Sequence, residues 1–276
     1  MAFNGKVILC VEGEPSPRIR LGEPLDLIWR EHLVKTLDLV EIDRIRPISK
    51  KNILRMDPTA RMSGSGAIAI DEMIAADIEK AKAAKTDVDA FVIAWDLQPP
   101  WDPKVAACRS DEVLSFYYGL ANSNALPDDP WRIIAARRHH ELSIRRQNPG
   151  APAPRPRLVR GAIHAMCMEH TFESLLMVCE TRIREILGVA SLNVLDWPAW
   201  DQSARRPEDI LQLAIKATRK LAKQRSRVAR VIPGDMTTAK NDWGEYFLRK
   251  MIEDPDCLER LRDHPISRRM KAILAK

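Results

Sequence analysis

The segment Phe91–Pro103, FVIAWDLQPPWDP, is the clearest indicator of the fold class of this chain. An uninterrupted apolar run, Ala90–Trp95, leads to Asp96 and is soon followed by two prolines, Pro99 and Pro100. A run without polar alternation is typical of a strand buried on both faces in a parallel sheet. Since proline cannot continue a hydrogen-bonded ladder, the strand should end near Asp96. Ligands of open α/β sheets bind at the carboxyl ends of strands, so the pattern puts Asp96 where functional groups usually lie.

Two further segments repeat this arrangement. Lys6–Gly13, KVILCVEG, is an apolar run that ends in Glu12, and Leu158–Met168 predicts a strand that is followed by Glu169. Val40–Ile48 instead alternates apolar and polar residues, which indicates a half-exposed strand near an edge of the sheet. Strands often end in polar residues, so a set of ordinary strand ends is the alternative interpretation of these carboxylates.

Helical periodicity fills the intervals between the strands and most of the C-terminal part. This order predicts an α/β fold, with a central, mostly parallel sheet flanked by helices in residues 1–195 and a basic helical extension in residues 196–276. We expect Ser110 to be the N-cap of the helix that follows it. The predicted helices are Leu25–Leu37, Ala67–Lys85, Asp111–Ala121, Trp131–Arg146, Phe172–Leu187, Pro207–Arg230, Asp242–Ile252 and Asp256–Arg262.

The positive charge of the chain is concentrated towards its C-terminus. The net charge is +6; residues 203–276 carry 18 Lys and Arg against 10 Asp and Glu, whereas the first 202 residues carry 26 against 28. This asymmetry indicates a polyanion or an acidic partner. Four basic side chains at helical spacing form a stripe suited to a phosphate backbone, and a solvated helix face is the alternative. The four residues are Lys216, Lys220, Lys223 and Arg227.

Tryptophans flank this basic stripe. Trp197, Trp200 and Trp243 could stack on nucleic-acid bases, and packing in a protein core is the alternative that we favour.

Several classes of protein and site are disfavoured by the pattern. The start of the sequence lacks the pattern of a signal peptide, and no run approaches the ~20 apolar residues of a membrane span. The five cysteines are scattered without a CxxC pair, which argues against a zinc–thiolate site and favours a cytoplasmic protein. Ser63–Gly66 is not a phosphate-binding loop, because no Lys-Ser/Thr pair follows it. Cys10, Cys167 and His164 lie inside predicted strands and should be core residues.

The acidic residues at the strand ends have the chemistry of a divalent-cation site. Glu12, Asp96 and Glu169 end three predicted strands, and Glu173 follows Glu169 by one helical turn. Carboxylates clustered at one sheet edge would repel each other without a cation, and hard oxygen ligands suit Mg²⁺ or Mn²⁺. A metal ion there could activate water and stabilise a phosphoryl transition state.

The order of these motifs resembles the Toprim fold, the catalytic domain of topoisomerases, primases and OLD-type nucleases. It is most similar to small stand-alone Toprim-like proteins of bacterial anti-phage defence systems. Three features carry the resemblance: a first strand that ends in Val11–Gly13, VEG; a later strand that ends in Asp96; and the segment Glu169–Leu176, EHTFESLL. The resemblance covers roughly residues 5–190.

The resemblance implies metal-dependent phosphodiester chemistry. Glu12 would be a metal ligand or general acid/base, Asp96 would be the first aspartate of an Asp-x-Asp motif, and Glu169 or Glu173 would add a further ligand. Gln98 stands where the family has its second aspartate; its amide carbonyl can coordinate a metal ion, but it carries no charge. We therefore expect catalysis by Glu12, Asp96 and Glu169, with Mg²⁺ or Mn²⁺ held by Glu12, Asp96, Gln98 and Glu173.

The leading functional hypothesis is a metal-dependent nuclease that cleaves DNA or RNA as the effector of an anti-phage defence system. The alternative is a catalytically degenerate Toprim-like subunit that binds nucleic acid or an ATPase partner. The presence of Gln98 in place of the family's second aspartate favours this alternative. A nucleotide- or phosphate-handling enzyme ranks last because no glycine-rich phosphate loop follows the first strand. An oligomer or a hetero-complex is expected under both leading hypotheses, and no membrane partner.

Overall fold

The computed structural model describes residues 5–12, 37–56, 68–97, 106–152, 156–169, 172–188, 209–214, 216 and 240–275. The chain forms two compact units. The first unit comprises Met1–Pro15, Asp38–Glu169 and Arg269–Lys276, and the second comprises Ser16–Leu37 and His170–Arg268. The predicted boundary after residue 195 lies outside the described residues and stays a prediction. Among the described residues no helix is both long and apolar enough to cross a membrane.

The first unit contains a four-stranded, all-parallel sheet in the order β2-β1-β3-β4. Its strands are β1 Val7–Glu12, β2 Ile42–Ile48, β3 Ala90–Asp96 and β4 Ala162–Met168. Nearly every side chain of β1, β3 and β4 is buried, which is the pattern expected for strands covered on both faces. The prediction of a parallel α/β sheet is therefore confirmed, although β4 begins four residues later than expected.

The strand β2 lies at one edge of the sheet, as its alternating sequence predicts. Its charged side chains Arg44 and Arg46 both contact the buried carboxylate of Asp77, at 3.4 and 2.7 Å. Pro47, near the end of this strand, has no N–H to offer to a further strand. Charges and a proline are common protections of an exposed edge against pairing with another chain.

Four described α-helices lie entirely within the first unit. They are α1 Lys50–Leu54, α2 Ile70–Ala83, α3 Arg109–Ala121 and α4 Ile133–Gln147. Aromatic pairs join β3 to α3 and to the short π-helical segment Asp128–Arg132 that precedes α4: the Phe91 and Trp131 rings lie 5.5 Å apart, and the Trp95 and Phe116 rings 5.2 Å apart. These pairs belong to the main core, which also includes Cys10 and Cys167, so both cysteines are core residues as predicted.

The start of α3 differs from the prediction. Cys108, not Ser110, is the N-cap residue, and no side-chain hydrogen bond caps the helix. Arg109 is therefore the first residue of α3, and its guanidinium lies 3.0 Å from the Glu169 carboxylate. A tertiary ion pair thus forms in the first turn, where the sequence predicted a local cap.

The second unit is helical where it is described. A 3₁₀ segment, Phe172–Met177, and α5, Glu180–Leu187, replace the single predicted helix, because the backbone of Cys179 between them is not helical (φ −140°, ψ 88°). Residues 209–214 and 216 are helical. Trp243 is buried and its ring lies 5.5 Å from that of Phe247, which confirms its core assignment. The other helices of this unit are α6 Lys240–Ile252 and α7 Pro255–Asp263. The last helix, α8 Pro265–Leu274, which the sequence analysis missed, begins in the second unit and continues into the first from Arg269.

Candidate functional site at the strand ends

The order of the strands creates a switch point between β1 and β3. After β1 the chain adds β2 on one side, and β3 then pairs with β1 on its other side. Connections that diverge in this way leave a crevice at the carboxyl ends of the two central strands, which is where open α/β sheets bind ligands. Glu12 is the last residue of β1 and Asp96 the last of β3, so two acidic residues flank this crevice.

Glu12 connects the two central strands directly. Its Oε2 atom accepts a hydrogen bond from the backbone N–H of Asp96, at 2.9 Å. Burial raises the pKa of the Glu12 carboxyl, while the Asp96 amide and the positive charge of Lys50 act in the opposite direction. Each carboxylate oxygen has two acceptor positions, so the bond to Asp96 leaves Glu12 able to accept a further donor or cation.

A buried lysine lies beside these carboxylates. Lys50, in the first turn of α1 just after β2, is 7% exposed, and its Nζ donates to the backbone carbonyls of Asp96 and Leu97, both at 2.8 Å. The same ammonium is 3.3 Å from Oε1 of Glu112. A buried charge is tolerated only with this kind of pairing, so Lys50 holds a fixed positive charge at the end of β3.

Glu112 completes this buried network from α3. Its Oε2 accepts a hydrogen bond from the Trp95 indole N–H at 2.9 Å and lies 3.9 Å from the Cys167 thiol. The sequence analysis missed both Lys50 and Glu112. Two signals could have found them: Lys50 follows a strand end, as the predicted carboxylates do, and a tryptophan within a buried strand needs an acceptor for its N–H.

The structure places Glu169 at the same sheet edge, one residue beyond β4. Its side chain is 52% exposed and forms an ion pair with Arg109 at 3.0 Å. An exposed pair of this kind contributes little to stability, so Arg109 does not prevent Glu169 from contacting a ligand. A catalytic role for Glu169 stays a prediction.

Most of the other predicted site residues lie outside the described part of the chain. Gln98, Lys220, Lys223 and Arg227 lie outside the described residues, as does the side chain of Glu173. Lys216 is exposed within helical residues of the second unit. Within the described part of the chain, no group of three or more His, Cys, Asp or Glu side chains is arranged to hold a metal ion.

Comparisons with known proteins give no match. No protein-family model matches the sequence, and no curated protein or solved structure matches it significantly.

Proposed function

We propose that this protein is a metal-dependent nuclease, built on a Toprim-like domain, whose active site lies at the carboxyl ends of β1 and β3. The observation that carries the proposal is the bond between the Glu12 carboxylate and the Asp96 amide, since it brings two acidic residues together at the switch point of the sheet. The motif resemblance adds the reaction class, phosphodiester cleavage, and a role as an effector of anti-phage defence.

The donors of the proposed metal site are all oxygen atoms. Glu12 and Asp96 would hold the ion, with the Gln98 amide oxygen and the Glu173 carboxylate as the further donors of the proposed set. Oxygen donors from carboxylates and an amide fit Mg²⁺ or Mn²⁺ and not a softer metal. When bound, such an ion supplies Lewis-acid stabilisation of the phosphate and an activated water molecule.

Individual residues at the strand ends would have different roles in this chemistry. The ammonium of Lys50 fixes the end of β3 through two carbonyls and adds a positive charge that favours a phosphate. Glu112 and Trp95 hold that ammonium and the strand in one arrangement, which keeps the donor groups preorganised. Glu169 lies at the same edge and could act on a proton of the attacking water or of the leaving group.

A catalytically degenerate protein is the second candidate function. Lys50 favours it, because a built-in cation partly neutralises the carboxylates and reduces the need for a metal ion. The neutral Gln98 acts in the same direction. In this case the domain would hold nucleic acid or dock an ATPase partner without cleaving a substrate.

The test compares cleavage and metal binding in matched variants. Labelled single-stranded DNA and RNA are incubated with Mg²⁺ or Mn²⁺ and with the wild type, Glu12→Ala, Asp96→Ala or Glu79→Ala. The last is the control, because Glu79 is a well-exposed acid on α2 that pairs only with Lys82 among the described residues. We expect the first two variants to abolish cleavage and the control to retain it, with thermal unfolding checked for each.

Calorimetric titration separates the two functions. Mg²⁺ or Mn²⁺ binding that is present in the wild type and lost in Glu12→Ala supports the nuclease. Cleavage that is retained in both Glu12→Ala and Asp96→Ala would contradict the nuclease proposal. A folded wild type that binds nucleic acid but neither binds metal nor cleaves would establish the degenerate alternative.

A further inference from the structure

Eight side chains of α4 are exposed and six are half-buried. Ala135 is its only buried residue, although the helix is 15 residues long. It carries four arginines and one acid, Glu141, and among the described residues neither Arg137 nor Arg145 has an ion-pair partner. Because Arg137, Arg145 and Arg146 are exposed, the solvent side of α4 is strongly basic, which favours an anionic partner.

A groove of about 370 Å³ runs between α3 and α4. The rings of Tyr118 and His139 lie 5.6 Å apart and are tilted by 58°, and Tyr118 is 52% exposed. Ser115 and Gly119 also line the groove and are small, so they leave room beside the rings. Ser143, Arg146 and Gln147 add hydrogen-bonding groups next to this aromatic surface.

Residues of α4 divide between two faces. His139, Ser143 and Arg146 are spaced by four and three residues and therefore share the groove face. Arg137 is exposed and stands two positions before His139, so it points away from the groove. The helix thus offers a basic residue within the groove and a comparable basic residue outside it.

The groove leads towards the strand-end carboxylates. Arg146 contacts Asp111 at 2.8 Å, and two residues earlier on α3 Arg109 contacts Glu169 at 3.0 Å. Glu169 directly follows β4, so these contacts connect the end of α4 with the carboxyl edge of the sheet. Both members of the Arg146–Asp111 pair are about half exposed, and such pairs are weak enough for a phosphate to compete.

We propose that this groove binds single-stranded nucleic acid, with an unpaired base stacked on Tyr118 and a phosphate held by Arg146. Stacking on aromatic side chains beside basic groups is how proteins hold single strands, and a base enclosed in a duplex has no free face to offer. This inference rests on the proposed nuclease function and adds a substrate-binding surface to it, because the groove would guide a strand towards Glu12 and Asp96. It includes none of the four residues of the predicted basic stripe, Lys216, Lys220, Lys223 and Arg227.

The experiment measures binding without cleavage. Fluorescence anisotropy in EDTA follows a labelled single-stranded oligonucleotide, in DNA and RNA versions, over a series of salt concentrations. Tyr118→Ala is matched with Ile133→Ala, since both side chains are 52% exposed, and Arg146→Ala is matched with Arg137→Ala. We expect both groove variants to weaken binding at least about fivefold, and both controls to change it by less than about twofold. A duplex of the same sequence should bind more weakly.

The remaining outcomes would either overturn the proposal or assign the groove to another partner. No binding of either oligonucleotide at low salt, or equal binding by groove variants and controls, would overturn the proposal. Polyglutamate that competes with the oligonucleotide, together with an unaffected Tyr118→Ala, would assign the surface to an acidic protein instead. A wild type that binds through the groove in EDTA but never cleaves with Mg²⁺ or Mn²⁺ would refute the nuclease, while single-strand binding in the groove would remain established.

Discussion

The side-chain ammonium of Lys50 donates a hydrogen bond to the backbone carbonyl of Asp96, and the two atoms lie 2.8 Å apart. Lys50 follows β2 and Asp96 ends β3, while β1 lies between these strands in the sheet. The lysine therefore spans the end of β1 and joins two strands that do not pair with each other. It places a fixed positive charge at the crevice that the Glu12 carboxylate also reaches.

Removal of Lys50 should destabilise the first unit. Lys50→Met leaves the buried Glu112 carboxylate without this cation, and we expect the free energy of unfolding to fall by about 3 kcal/mol in urea titrations. In Lys50→Met/Glu112→Gln the loss should be smaller than the sum of the single losses by at least about 1 kcal/mol. The exposed pair Glu79–Lys82 is the control, with a coupling below about 1 kcal/mol. Additive losses for Lys50 and Glu112 would contradict this account.

Stability should fall in mild acid because of His164. Burial lowers the pKa of this histidine from 6.5 to about 4, and its Nε2 lies 2.9 Å from the Arg157 carbonyl. Between these two pH values the unfolded chain binds the proton and the native chain does not, so the free energy of unfolding decreases as the pH falls. The stability contributed by the neutral His164 imidazole is fully present above the pKa that this residue has in the unfolded chain. About 3 kcal/mol of stability is lost once the pH reaches the pKa that it has in the folded protein.

Urea titrations at a series of pH values measure this effect. His164→Gln retains a donor and does not titrate, so its stability should depend less on pH across this window. An identical pH dependence in the wild type and the variant would show that other groups cause the acid sensitivity.

Gly161 should not tolerate a side chain. Its φ of +83° is strained for other residues, and a Cβ atom there would lie 2.2 Å from Cγ of Pro130. Gly188 has a φ of +69° with open space around it, so it isolates the backbone effect. We expect Gly188→Ala to cost about 1 kcal/mol and Gly161→Ala at least about 3 kcal/mol, because a clash adds to the same strain. Equal losses in thermal unfolding would argue against contact between Gly161 and Pro130.

One cysteine should react much faster than the other four. Cys108 is exposed, whereas the remaining four are buried, and burial raises the pKa of the Cys10 thiol to about 12 and that of Cys167 as well. Only thiolates react readily, so a thiol reagent should label one site in the native protein and all five after denaturation. Cys108→Ser should remove the fast phase. Fast labelling of Cys10 or Cys167 in the native protein would be inconsistent with their burial in the core.

The acidic residues at the strand ends could be predicted from sequence because their signal is local. An apolar run followed by Glu12, Asp96 or Glu169 marks a buried strand and its end within a few residues, and parallel strands bring their carboxyl ends to one edge. The groove between α3 and α4 gave no such signal. Tyr118 and His139 are distant in sequence, and their proximity depends on how two helices pack.

Apolar patterns in the sequence were sufficient to predict the parallel α/β sheet, its half-exposed edge strand β2 and the positions of Glu12 and Asp96 at strand ends, because burial on one or both faces imposes a short-range pattern of apolar residues. Tertiary contacts, by contrast, bring Lys50 and Glu112 into the site and pair Arg109 with Glu169, and Cys108 instead of Ser110 is the N-cap of α3. These features could not be predicted because the contacts that produce them join residues far apart in the sequence. Lys50 reaches a carbonyl 46 residues away, and such a pairing depends on strand order and helix packing, which no local pattern encodes.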